Sequence, residues 1–293
     1  MSKLAQLMQQ YIEKQSLDHL EGIHQTAVPG VLFYRSSRGN GRQPLVYQSG
    51  IILLGQGHKR IHIGSQPVNY GPNDYLVVGV PLPLECEAFA SESEPLLGLT
   101  INIDHSLLLK QVDRLEASGF LSDCIDKSKC GLKSVEMGAK MQASAIRLMS
   151  ALVNDLEAKV LGESLVEEIV FRALTSEHGY VLFDLAHQEG HYARIAKALS
   201  KVHQEYDQSI TVQLLAEEAN MSVSAFHHAF RLVTLESPLQ YLKKVRLNRA
   251  KELIRVEGKR VNDAARLVGY ASASQFSREY KRNFNETPRG VQR

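Results

Sequence analysis

The sequence has no apolar run long enough to cross a bilayer, and its opening segment, MSKLAQLMQQYIEKQ, lacks the continuous apolar core of an export signal. A cytoplasmic protein with no membrane partner is expected. Cysteine is scarce. Cys86, Cys124 and Cys130 are too few and too scattered for a disulfide framework and fit a reducing compartment; Cys124 and Cys130 would bridge only if the fold brought them together. Low-complexity tracts are absent, so 293 residues are enough for two domains with ordinary cores. Charge is nearly balanced over the whole, at +2, but not along the chain. Residues 191–293 carry 18 Lys/Arg against 10 Asp/Glu, and the remainder 16 against 22. An acidic portion is joined to a basic one, and the basic one has the charge a polyanion-binding module requires.

What is present in that basic portion is one pattern written twice. VQLLAEEANMSVSAFHHAFR (Val212–Arg231) is matched by VNDAARLVGYASASQFSREYKR (Val261–Arg282), at an offset of 49 before the turn and 50 after it. Each copy reads as a short helix, a tight turn and a second helix. The first helix buries a stripe at i, i+3, i+4 and i+7: Val212, Leu215, Ala216 and Ala219, then Val261, Ala264, Ala265 and Val268. Asn220 and Gly269 end these helices with residue types that tolerate a left-handed backbone. Thr211 is a natural N-cap in copy one, where Ser222 follows the turn; in copy two either Ser272 or Ser274 can cap the second helix. Phe226/Phe230 and Phe276/Tyr280 anchor the second helices, which leaves Ser224, Ala225, His227, His228 and Arg231 outward in one copy and Gln275, Arg278, Glu279 and Lys281 in the other. A helix-turn-helix presents that outward side to a DNA major groove, where Gln and Arg read base edges and Arg and Lys hold phosphates. Between the copies, Ser237-Pro238 starts an unbroken helix through Arg255, a strut that sets their separation; its Lys243, Lys244, Arg246 and Arg249 add charge, by default solvated.

The front of the chain has a different texture. An amphipathic helix (Met1–Leu20) precedes at least seven short apolar segments between Val28 and Ile103, several alternating at period two and separated by turn residues such as Pro72-Asn73-Asp74. These favour an antiparallel sandwich or small barrel whose interior can hold a small ligand. Phe33, Leu53 and Leu76 are candidates for its apolar lining, and Arg60, His62 and Glu85 for its polar contacts. Metal catalysis is not expected: His58 and His62 are four apart, no HxH occurs in this region, and nothing forces His24, Glu85 or Glu87 to join them. From His105 the pattern turns helical. Leu107, Leu108, Val112 and Leu115 form one stripe. Met141, Ala145, Leu148, Leu152 and Leu156 form another within a helix spanning Val135–Leu161, either packed on the barrel or forming a seam with an identical subunit. A second helix with Leu165, Ile169, Phe171 and Leu174 pairs with it, and residues 175–190 lead to the brace helix His191–Tyr206.

With these segments in hand, the chain resembles the AraC/XylS family of bacterial transcription regulators. GYASASQFSREYKRNFNETP (Gly269–Pro288) resembles the family's closing signature, with Asn285 at a position where glycine is usual. PGVLFYRSS, IILLGQGHKRIHIG and YGPNDYLVVGVPLP resemble phrases of a cupin-type amino-terminal domain. The resemblance implies an α+β chain. A cupin-like double-stranded β-helix barrel (about 24–104) with a helical dimerisation or packing segment (about 105–176) would form a regulatory domain, 1–185. An all-α DNA-binding domain, 191–293, would follow, with two helix-turn-helix subdomains joined by a long helix. It further implies a promoter-binding activator that contacts double-stranded DNA and RNA polymerase, acts as a homodimer and answers to a small-molecule effector. No catalytic residue, metal or cofactor is expected. The DNA-contacting candidates are Ser224, His227, His228 and Arg231, with Ser274, Gln275, Arg278 and Lys281 in the second copy. The alternatives are a ligand-independent regulator or architectural DNA binder, and a metal-dependent cupin enzyme carrying a DNA-binding appendage.

Overall fold

The computed structural model describes residues 2–63, 66–120, 132–186, 191–255, 257–288 and 290; Cys124 and Cys130 lie outside them. Helix α1 (Lys3–Gln15), capped by Ser2, buries Leu4, Met8, Tyr11 and Ile12. Nine strands follow: β1 (Gly22–Gln25), β2 (Val31–Ser36), β3 (Asn40–Tyr47), β4 (Gly50–Gln56), β5 (His58–Ile63), β6 (Gln66–Tyr70), β7 (Asp74–Val78), β8 (Leu82–Phe89) and β9 (Leu96–Ile101). After α2 (His105–Ala117) a tenth, β10 (Leu132–Glu136), pairs with β7. All pairings are antiparallel and form two sheets, β1-β2-β9-β4-β7-β10 and β3-β8-β5-β6. The turn expected at Pro72–Asp74 is closed by Asp74 N–H donating to the Gly71 carbonyl, 3.0 Å, before β7 begins. The larger sheet is covered on its outer face by α1, which approaches so closely that a Cβ on Gly55 would lie 2.4 Å from Met8 Sδ. A side chain at this position would have to displace those of Met8 and Leu4.

The single helix expected over Val135–Leu161 is broken. Leu132–Glu136 is strand, α3 runs Ala139–Val153, and Asn154 ends it and caps α4 (Asp155–Leu174), its side chain accepting from the N–H groups of Leu156 and Glu157. A helical spacing of apolar residues cannot report a break at one capping residue. The stripe divides accordingly: Met141, Ala145, Leu148 and Leu152 are buried, while Leu156 is 71% exposed. α4 folds back on α3, where Glu168 accepts from Ser144 (3.0 Å) and also pairs with Arg147 and Arg172.

Beyond the buried α5 (Tyr180–Ala186) the chain is all helical: α6 (His191–Glu205), α7 (Val212–Glu218), α8 (Val223–Thr234), α9 (Pro238–Arg255), α10 (Val261–Leu267) and α11 (Ala273–Phe284). One apolar core runs from α1 through the barrel and α6 to α8 and ends on α9 at Val245. A second, separate cluster joins Leu247, Ala250, Leu253 and Ile254 of α9 to Ala264, Ala265, Val268, Phe276 and Tyr280. The 18-residue α9, roughly 27 Å long, thus divides its buried faces between the two copies of the repeat.

Candidate nucleic-acid interface

Each copy of the repeated pattern folds as helix, turn, helix, by the local chemistry its sequence carries. In the first, Thr211 Oγ1 accepts from Leu214 N–H (3.1 Å) to start α7, Asn220 turns left-handed at φ 50°, and Ser222 accepts from Ala225 N–H (3.3 Å) to start α8. In the second, Gly269 turns at φ 84° and Ser272 accepts from Gln275 N–H (3.3 Å) to start α11. Ser272 is therefore the cap, and Ser274 is left exposed on the helix. Asn285, at the position where the resembled signature has glycine, is also left-handed, at φ 56°. α10 begins at Arg260 without a side-chain cap, so the two copies differ at their first turn.

The anchors Phe226, Phe230, Phe276 and Tyr280 are wholly buried, and this fixes which sides of α8 and α11 face outward. Ser224, His227, His228 and Arg231 are exposed along α8; Ser274, Gln275, Arg278 and Lys281 are exposed along α11. Among the described residues the side chains of Arg231, Arg278 and Lys281 make no hydrogen bond or ion pair, so their cations are unspent. Arg278 and Lys281 border an open groove of about 810 Å³ that also includes Arg260, Asn262, Ser277 and Thr287.

Two expectations about charge are corrected. Glu279, read as outward, turns in toward α9: it accepts from Tyr270 Oη (2.8 Å), Lys243 Nζ (3.1 Å) and Gln275 Nε2 (3.2 Å). Burial works against its ionisation, yet these donors hold the carboxyl below the usual carboxylate range. The four α9 cations read as solvated are engaged rather than free. Besides the Lys243 pair, Lys244 bonds Glu236, and Arg249 bonds Glu252 and Glu257. Arg246 donates to the carbonyls of Tyr206 (2.6 Å) and Gln208 (2.7 Å). These four brace the module from within.

Between the two sheets of the barrel lies a cavity of about 170 Å³. Its walls are Leu32 and Tyr34 of β2, Ile52 and Leu54 of β4, Tyr47 and Tyr70 of the smaller sheet, and Lys59 of β5. The lining expected from sequence had the wrong parity. Phe33 and Leu53 alternate with the lining residues; Phe33 packs on Tyr11 of α1, with ring centroids 5.1 Å apart. Leu76, likewise expected there, is buried in the core but is not among the lining residues. A one-residue shift in a strand moves every side chain to the other face. Arg60, His62 and Glu85 do not line the cavity either: Arg60 pairs with Glu87, His62 Nε2 lies 2.8 Å from Glu87 Oε1, and Arg42 bonds Glu85. His58 stacks on Phe89 and His24 meets Tyr11 edge-on. Lys59, which sequence reasoning passed over, is the cation inside.

Beside the shared apolar core, a polar chain joins the barrel to the helical module. Tyr241 Oη of α9 donates to the Pro81 carbonyl (2.7 Å) just before β8, and His203 Nε2 of α6 lies 2.8 Å from the same hydroxyl. Since the tyrosine proton is directed at Pro81, His203 must be the donor to its oxygen. Burial lowers the His203 pKa and raises that of Tyr241.

Residues 27–181 match the family of AraC-type transcriptional regulator N-termini, and residues 215–293 match a helix-turn-helix domain family. The HTH-type transcriptional regulator AlkR of Acinetobacter baylyi is 33% identical over 98 residues, covering 33% of this chain and 32% of that protein. The HTH-type transcriptional activator RhaS of Klebsiella pneumoniae is 28% identical over 99 residues, or 34% of this chain and 36% of that protein. The chain thus spans about a third of the length of these curated relatives. Among solved structures, an apo ToxT variant from Vibrio cholerae has a TM-score of 0.57 at 10% identity over 93% of this chain and 98% of that one. Wild-type ToxT bound to an unsaturated fatty acid has a TM-score of 0.52 at 9% identity, over 88% and 92%. At such identities the likeness is one of fold.

Proposed function

The chain belongs to the AraC-type transcriptional regulators, and from that premise we propose that it binds promoter DNA sequence-specifically through α8 and α11 and is governed by a small molecule in its barrel. The observation that carries this reading is the pair of exposed faces on the two second helices. Ser224, His227, His228 and Arg231 on one, and Ser274, Gln275, Arg278 and Lys281 on the other, project from matched helix-turn-helix frames. Arg278 and Lys281 supply phosphate or guanine contacts, and Gln275 an amide for a base edge. In this reading residues 1–185 form the regulatory domain and 191–293 the DNA-binding domain. The protein works in the cytoplasm without catalysis and activates transcription by touching RNA polymerase. The effector half draws support from the cavity between the sheets, and from a protein of the same fold having been crystallised with a fatty acid. Self-association draws support from Leu156, Val160 and Leu161, which are 71%, 67% and 47% exposed together on α4.

The test is selection of genomic fragments by the full chain, followed by titration of a selected and a scrambled duplex at two salt concentrations. A sequence preference that persists at the higher salt is expected, and Arg278→Ala should erode it by about tenfold or more. Equal affinity for the selected and scrambled duplexes at both salts would remove the specific reading and leave only charge-driven association.

A further inference from the structure

We propose that the cavity between the two sheets takes a small monocarboxylate, of about the bulk of benzoate, whose carboxylate meets Lys59. This deepens the effector reading and rests on it for its regulatory meaning. Lys59 leaves only 8% of its surface exposed, yet it has no carboxylate, carbonyl or hydroxyl partner among the described residues. Its ammonium lies 4.4 Å from the centroid of the Tyr34 ring and 5.9 Å from that of Tyr47. Ring faces attract a cation weakly compared with an anion, and a buried ammonium is normally paired. The thiol of Cys86, 3.3 Å from the Tyr47 hydroxyl, is pushed up by burial, so it supplies no negative charge at neutral pH. The cavity therefore holds one ammonium, whose ionisation burial disfavours, and among the described residues no anionic side chain to neutralise it.

The size and lining of the cavity narrow the anion. With one cation and no second donor of positive charge on its walls, the cavity suits a monoanion and not a phosphate ester or a dicarboxylate. Leu32, Tyr34, Ile52 and Leu54 of the larger sheet face Tyr47 and Tyr70 of the smaller one across it, so the remainder of the ligand is apolar and flat or compact. A volume of about 170 Å³ is close to the roughly 150 Å³ of an engineered apolar cavity that holds benzene. A long alkyl chain would not fit. Ile23 and Leu45, both exposed, line the same cavity and mark where a ligand enters.

Calorimetric titration of the full chain with benzoate and its neutral analogue benzyl alcohol tests the assignment. Benzoate should bind, and benzyl alcohol should bind about tenfold or more weakly, the share of a charge-assisted contact. Lys59→Met should abolish that preference while leaving the thermal midpoint of the ligand-free protein no lower than wild type, since an unpaired buried ammonium has been removed. Should the variant fail to fold, the wild-type comparison decides alone. Absence of benzoate binding, equal affinity for the alcohol, tighter binding of oleate than of benzoate, or a Lys59→Met protein that keeps the preference would each overturn the proposal. Promoter affinity measured on the same samples judges the regulatory reading separately. Benzoate bound through Lys59 with promoter affinity unmoved supports the site and removes its role as a switch. Loss of promoter selectivity altogether sinks the regulator and not the cavity.

Discussion

The carboxylate of Glu279 receives hydrogen bonds from Tyr270, Gln275 and Lys243 where α9 and α11 meet. Its folded pKa lies below the ordinary value, so as pH falls the unfolded chain takes up its proton first. The stabilisation is complete above the unfolded value of about 4.3 and drains away as pH drops through the folded one. Glu279→Gln should lower stability by about 1 kcal/mol at neutral pH, a figure kept small because the site is not sealed from water. The same change should flatten the acid limb of the melting curve. Thermal midpoints of both proteins across about pH 3 to 7 measure this; parallel acid limbs would contradict it. Sequence could not show Glu279 in this role, because a Gln-x-x-x-Glu pair on an amphipathic helix looks the same whether the acid faces water or the neighbouring strut. Lys59 was hidden for a related reason. In the segment HKRIH three basic side chains follow one another, and only the register of β5 on β8, with Lys59 opposite Ala88, decides which of them points between the sheets.

At the scale of the element, the turns were legible because their chemistry is local. Asn220, Gly269, Ser222 and Thr211 act on neighbours within three or four residues, and each sits in the structure as its sequence context dictates. Gly269 carries a further, tertiary constraint: a Cβ there would stand 2.5 Å from the Asp207 carbonyl oxygen. Gly269→Ala should therefore destabilise by roughly 1–3 kcal/mol through both backbone strain and collision. Asn220→Gly, at the equivalent turn, should cost well under that. Chemical denaturation of the two variants separates the cases, and equal losses would mean that the turn, not the contact with Asp207, sets the cost. The elements that escaped prediction are those defined by distant partners. Leu132–Glu136 is a strand only because β7 offers it an edge, and α3 and α4 are two helices because Asn154 caps the second. Lys243 and Arg246 of α9 read as solvated for the same reason, since their partners Glu279, Tyr206 and Gln208 lie 36 to 40 residues away along the chain.

Across the whole molecule, the wall of the cavity and α8 are linked by few steps. Tyr47, a lining residue, is paired in the sheet with Leu82, and the next residue back, Pro81, accepts the hydrogen bond from Tyr241. Tyr241 also meets Phe230 of α8 edge-on at 5.5 Å. Tyr241→Phe keeps that ring contact and removes only the polar link, leaving the His203 donor and the Pro81 carbonyl without their shared partner. A loss of about 1–2 kcal/mol is expected, measured by urea denaturation, and an unchanged midpoint would show that water replaces the hydroxyl at no cost.

The two buried clusters give the halves of the repeat unequal footing. α7 and α8 rest on the same apolar mass as the barrel, whereas α10 and α11 rest on a small island of their own at the far end of α9. Opening the near half means disturbing the chamber; opening the far half does not. Amide protons of α10 and α11 should thus exchange by an opening of their own, ahead of those of α7 and α8.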